Sequence, residues 1–252
     1  MQTSLTALNI ILQSFKLYLL VVLHLIPIAL AMIFYNHALL YFNHHFLAGV
    51  LSILTGHAVS LTALMQNSLI ANLMLLLITL ILQIPSVFFV AWMIQATYDL
   101  IRTDTFCYAQ SFKSTIARLV TLFLASLVYD MVVSIGLILF IFPGVYVAIA
   151  GLFYMIRVLV ANDGPIDAML QSMRLVRGAW FRVATANVLS LALLFSATIV
   201  IQIIASPLSA NPLFKIVVRD GLTVILLTFF TCLTAMTYQL LVQFKQSSQV
   251  TD

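Results

Sequence analysis

The chain has no glutamate at all. Its seven acids are aspartates, Asp99, Asp104, Asp130, Asp163, Asp167, Asp220 and Asp252, spread along 252 residues. Charge of either sign is scarce: 7% of residues are charged, while 63% are hydrophobic. A soluble domain carries roughly 25% charged residues. A soluble core of this size cannot hide so much apolar surface, so lipid is the expected solvent for most of the chain. The net charge of +4 comes from basic residues at the ends of apolar runs. That placement argues against nucleic acid and for membrane phosphates. Only two cysteines occur, Cys107 and Cys232. One falls in a loop expected in the cytoplasm and the other mid-span, so no disulfide is expected. No phosphate loop, Gly-rich dinucleotide motif, metalloprotease helix or nucleophile elbow occurs. With few acids and scattered histidines, no enzyme activity, metal or cofactor is expected.

What the chain has is long apolar runs. A spanning helix needs about 20 apolar residues. Six segments qualify, at about 17–34, 68–94, 119–142, 144–161, 183–205 and 221–244. Backbone in lipid must satisfy its own hydrogen bonds, and runs this long without a barrel's alternation mean helices. The first run has a basic residue before it, Lys16, but no clean cleavage site after it, so it is expected to be a retained span. Pro27 and Pro85 are expected to kink their spans. Pro143-Gly144 falls between two runs and is expected to form the turn of a close antiparallel hairpin. Phe46–Met65 is long and uncharged but carries Gly49, Ser52, Thr55, Gly56, His57 and Ser60. It is read as a helix lying on, or dipping into, the outer face.

Orientation follows from the basic residues. With six spans, Lys16, Arg102, Lys113, Arg118, Arg157, Arg174, Arg177, Arg182 and Lys245 fall on one side, and only Lys215 and Arg219 on the other. Both termini are therefore expected in the cytoplasm.

A short segment recurs. Gln13-Ser14-Phe15-Lys16 returns as Gln110-Ser111-Phe112-Lys113 and, more loosely, as Gln171-Ser172-Met173-Arg174. Each copy stands just before a long apolar stretch, which suggests three copies of one unit. In the third, Ile166, Met169, Leu170, Met173, Val176 and Trp180 recur at helical spacing, with Asp167, Gln171, Arg174 and Arg177 opposite. Pro165 suits the first helical position, and the acid-then-base order matches the helix dipole. Phe106, Ala109, Phe112 and Ile116 make the second stripe, with Asp104 as candidate cap. Leu5, Leu8, Leu12, Phe15 and Leu19 make the first. Each is expected to be an interfacial helix, its basic residues toward phosphates.

At Phe142-Pro143-Gly144-Val145-Tyr146 and Gln171-Ser172-Met173-Arg174-Leu175 the chain resembles the YciC-type family of bacterial inner-membrane proteins. More loosely, it is similar to the membrane domain that accompanies some glycerophosphodiester phosphodiesterases. The likeness covers spans two to six. It implies a helical inner-membrane fold and a Gram-negative origin. The family has no established activity, so the resemblance brings no catalytic residues. The phosphodiesterase link brings no enzyme either, since these residues contain no soluble catalytic domain.

The candidate residues divide by depth. Asp130 stands near the middle of span three, ~18 Å from Arg118 at helical rise. An acid at that depth is a functional candidate by its cost alone. His24, Gln83 and Arg157 are its candidate partners. Arg157, ~9 Å from Asp163 by helical rise, is otherwise expected to snorkel to the headgroups. Candidate headgroup contacts are Lys16, Lys113, Arg174, Arg177 and Arg182. His37, His44, His45 and His57 match no metal spacing and read as interfacial polar residues. Asn72, Thr79, Gln83, Asn187, Ser190, Ser196 and Gln202 read as interhelical hydrogen-bonding groups.

The expected fold is all-α. It is one integral membrane domain, 1–252, of six transmembrane helices in three hairpins, each preceded by an amphipathic interfacial helix. The expected function is non-enzymatic: binding of membrane lipids or another inner-membrane protein, in envelope or lipid homeostasis. The alternative is a small transporter or permease subunit using Asp130 and the polar span residues.

Overall fold

The computed structural model describes residues 6–42, 69–103, 107–205 and 212–250. Phe46–Met65, with His44, His45 and His57, lies outside the described residues, as does Asp104. Every element is helical: α1 (Ala7–Phe42), α2 (Leu69–Thr103), α3 (Tyr108–Ala117), α4 (Leu119–Leu139), α5 (Ile141–Ala150), α6 (Tyr154–Ile156), a π-turn (Arg157–Ala161), α7 (Pro165–Val176), α8 (Trp180–Ala205) and α9 (Pro212–Val250). Among the described residues, six stretches are long and apolar enough to cross a membrane: Ala7–Leu39, Leu80–Thr103, Leu119–Leu139, Ile141–Ala161, Trp180–Ile203 and Asp220–Ser247. α1 and α2 run through Pro27 and Pro85 without a break.

The α4–α5 pair is joined by Phe140 alone, in extended conformation (φ −157°, ψ 135°). Pro143-Gly144 therefore does not make this turn, contrary to expectation. Pro143 sits in the first turn of α5, where its missing N–H costs nothing. Gly144 lies against α4: a Cβ there would be 2.5 Å from the Leu137 amide nitrogen. The dipeptide marks the close approach of two backbones, and the turn precedes it.

The remaining pairing does not follow three separate hairpins. α1 lies more extensively along α9 than along α2, so the first and last spans close the bundle. α9 carries small buried residues around much of its circumference: Thr228, Thr231, Thr234 and Thr237, together with Cys232 and Ala235. Each threonine hydroxyl donates to a carbonyl three or four residues back in its own helix, at 2.6–2.8 Å. Small side chains that satisfy themselves let helices approach where lipid removes any hydrophobic drive between them. At the far end of this pair His37 Nε2 meets Asp220 Oδ2 at 3.4 Å.

The pre-hairpin segments also depart from expectation. The first copy is no separate element; it lies inside α1. The second and third form α3 and α7, and both pack on the bundle. α3 lies beside α2, where Phe112 meets Phe88 and Trp92 edge-on at 5.3 and 5.1 Å between ring centroids. α7 folds back along α5 and α6. Ser172 Oγ donates to the Ala150 carbonyl (2.8 Å) and accepts from Phe153 N (3.1 Å), and Trp180 stacks on Tyr146. The first two apolar stripes point largely outward, with Leu8, Leu12, Phe15, Leu19, Phe112 and Ile116 exposed, whereas the third is divided: Ile166 and Leu170 are exposed and Met169 and Val176 are buried. In lipid a large apolar side chain gains little from the protein interior, so small residues take the inner face. Ser14, Ser111, Thr115, Ala168 and Ser172 occupy it.

Candidate functional site

Asp130 lies on the outer surface of α4. Of its three candidate partners, the structure brings up Gln83, whose Nε2 donates to Asp130 Oδ2 at 3.4 Å. His24 lies exposed on α1, where its carbonyl accepts from the Tyr108 hydroxyl at 2.8 Å. Arg157 turns elsewhere.

Arg157 opens the π-turn, which ends at Asn162 in the left-handed region (φ 63°, ψ 25°). Asparagine is among the few residues that enter that region at small cost. The widened turn and the reversal bring residue 163 back under residue 157, and Asp163 N approaches the Arg157 carbonyl at 3.5 Å. Arg157 Nε and Nη2 then both reach Asp163 Oδ2, at 2.7 and 2.6 Å. A straight helix would hold these residues apart; the π-turn removes that rise. The expectation that Arg157 snorkels to headgroups is thereby corrected to an ion pair.

Opposite this turn stands Arg118, the single residue between α3 and α4. Its Nη1 donates to the Val158 carbonyl at 2.8 Å. Between them lies a cleft of about 320 Å³ lined by Ala117, Arg118, Thr121, Val158, Asn162 and Asp163. Arg118 directly precedes one candidate span and Asn162 directly follows another, so the cleft stands where two spans end.

A second polar group went unread in the sequence. Asp99 accepts from Gln95 Nε2 through Oδ1 and from Ser111 Oγ through Oδ2, both at 2.7 Å, and this ties α3 to α2. The i, i+4 spacing of Gln95 and Asp99 was visible; the third member, twelve residues on, depends on α3 folding back.

The expected headgroup contacts are exposed: Lys16, Lys113, Arg174, Arg177 and Arg182. Three of them, Arg174, Arg177 and Arg182, share the α7–α8 corner. That corner is a tight turn in which Ala179 N donates to the Val176 carbonyl at 2.9 Å, with Gly178 at φ 90°. α9 brings in the end of the chain: Lys245 Nζ donates to the Arg174 carbonyl, and Arg182 stands over the Phe244 ring at 5.6 Å. Among the described residues, none of the three arginines pairs with a carboxylate.

No family model, no curated protein and no solved structure matches the chain. The class rests on the fold itself: a multi-pass membrane protein, helical throughout its described elements.

Proposed function

We propose that this is a non-enzymatic protein of the bacterial inner membrane, with both termini cytoplasmic, that holds anionic lipid headgroups against its cytoplasmic half. The YciC-type resemblance belongs to the same proposal. One observation carries the reading: Arg174, Arg177 and Arg182 are gathered at the α7–α8 corner, and among the described residues none of the three pairs with a carboxylate. Exposed cations on an apolar protein need an anion, and a membrane supplies phosphate. The carrier alternative is less well supported, because Asp130 faces outward and its described partner is an uncharged amide. The test is native mass spectrometry of protein extracted in mild detergent. Arg174→Glu with Arg177→Glu should lower retained anionic lipid by about thirtyfold or more, since two charged contacts worth ~1 kcal/mol each at a membrane surface are lost. Retention equal to wild type defeats the reading.

A further inference from the structure

The cleft between α4 and the π-turn is a different site from the basic corner. Arg118 meets the π-turn at Val158, whereas α7, which carries Arg174, meets the bundle at Ala150 through Ser172. We propose that this cleft binds a phospholipid headgroup in which a phosphodiester is followed by an N–H or O–H donor, as in phosphoethanolamine or phosphoglycerol. The proposal rests on the lipid-binding reading and names a separate place and chemistry for it.

The first argument is Arg118. A guanidinium has five N–H donors in a rigid fork. Arg118 commits Nη1 to the Val158 carbonyl. That bond anchors the side chain and leaves the other donors for an anion. The geometry suits a phosphate, which takes paired donors from one arginine. Thr121, one turn further along α4, adds a hydroxyl to the same wall.

The second argument is Asp163. Both Arg157 contacts converge on Oδ2, and among the described residues Oδ1 accepts no hydrogen bond. The carboxylate is thus charge-compensated by Arg157 yet keeps an acceptor on the cleft wall. A partly sheltered acceptor favours a donor. A phosphate on Arg118 with a donor beyond it meets both walls. Phosphocholine has a phosphate of the same charge but no N–H or O–H on its tail, so it meets only one.

The third argument is size and position. About 320 Å³ is at the small end of ligand sites and suits a headgroup rather than a whole lipid. The cleft opens where two candidate spans end, which leaves acyl chains free to run alongside the helices. The π-turn and the left-handed Asn162 are what bring Asp163 to the wall. Such single π-turns recur at functional sites.

The experiment is lipid titration of the purified full chain, read by native mass spectrometry, with phosphatidylethanolamine, phosphatidylglycerol and phosphatidylcholine as probes. Wild type should retain the first two roughly tenfold better than the third. Arg118→Gln should lower retention of both roughly tenfold. Arg118→Lys, which keeps a charge and a donor for the Val158 carbonyl, should lose less, and it serves should the glutamine variant not fold. Asp163→Asn keeps an acceptor and removes the charge, so it should weaken the ammonium headgroup more than the glycerol one. Arg174→Glu with Arg177→Glu should leave the preference over phosphatidylcholine intact, which separates failure of the corner from failure of the cleft. Equal retention of all three lipids by wild type, or unchanged retention in both Arg118 variants, overturns the proposal.

Discussion

One added methyl group should have opposite effects at two glycines. At Gly144 a Cβ would lie 2.5 Å from the Leu137 amide nitrogen and 2.6 Å from two Leu137 side-chain carbons. The side chain can rotate away, but the amide belongs to α4 and cannot. Restoring an ordinary 3.4 Å contact from 2.5 Å parts the two backbones by about 0.9 Å. The pair has no slack to give, because Phe140 is the whole connection and Gly136 faces Gly144 with its own Cβ position 2.9 Å from the Gly144 Cα. Overpacking of this kind costs about 1–3 kcal/mol, and a backbone contact belongs at the upper end. Gly221, inside α9, is the control: a Cβ there meets nothing within 4 Å. Both substitutions gain about 1 kcal/mol of helix propensity. That gain cancels between them, so the difference between Gly144→Ala and Gly221→Ala isolates the clash. Gly221→Ala should match or exceed wild type, and Gly144→Ala should fall below it by about 1–2 kcal/mol net. The assay is denaturant-induced unfolding in detergent micelles, followed by the fluorescence of Trp92 and Trp180. Equal midpoints for the two alanine variants would refute the argument and, with it, the claim that close backbone approach sets the α4–α5 hairpin.

Two further outcomes separate packing from exposure. Ser172→Ala should cost about 1–3 kcal/mol, because it orphans the Phe153 amide where the helical path between α5 and α6 is interrupted. Ser14→Ala should be close to neutral, because its hydroxyl only doubles a bond to the Ile10 carbonyl within its own helix; matched losses in the same unfolding assay would refute the distinction. A membrane-impermeant maleimide should label exposed Cys107 in inverted membrane vesicles and leave buried Cys232 untouched until the protein is unfolded. Labelling of Cys107 in intact spheroplasts would reverse the orientation proposed for the protein.

The spans were legible because their signal is length. Leu119–Leu139 and Ile141–Ala161 fall within three residues of the runs read from apolarity alone. The pairing of Gln83 with Asp130 was legible because polar groups at matching depth in lipid find one another. What lay hidden was which face of each short helix looks inward. In water, periodicity answers that, since the apolar side is the buried side. In lipid both sides of a helix meet apolar surroundings, so Phe112 and Ile116 mark a stripe without saying where it points. The Arg157–Asp163 pair was hidden for a different reason. A rise of 1.5 Å per residue holds only while the helix stays α, and neither the π-turn nor the reversal at Asn162 announces itself in the residues 157–162.

Burial changes the meaning of the recurring tetrad. Its second residue is buried in every copy: Ser14 at 0%, Ser111 at 1% and Ser172 at 0% exposure. Its fourth residue, Lys16, Lys113 or Arg174, is exposed in every copy. Two residues on a helix are about 200° apart at 3.6 per turn, so a serine held inward turns the following cation outward. The serines do not share a partner: Ser14 bonds its own helix, Ser111 reaches Asp99 on α2, and Ser172 bridges Ala150 and Phe153. A common hydrogen-bonding role therefore cannot explain the recurrence. What the three copies share is register, a small polar residue toward the protein and a cation away from it. That shared register supports the lipid reading better than amphipathicity does. It fixes where charge stands on three different helices, whether the segment continues a span as in α1 or doubles back on the bundle as in α3 and α7. The three lysine and arginine side chains then face the surroundings because packing of the serines leaves them no other direction.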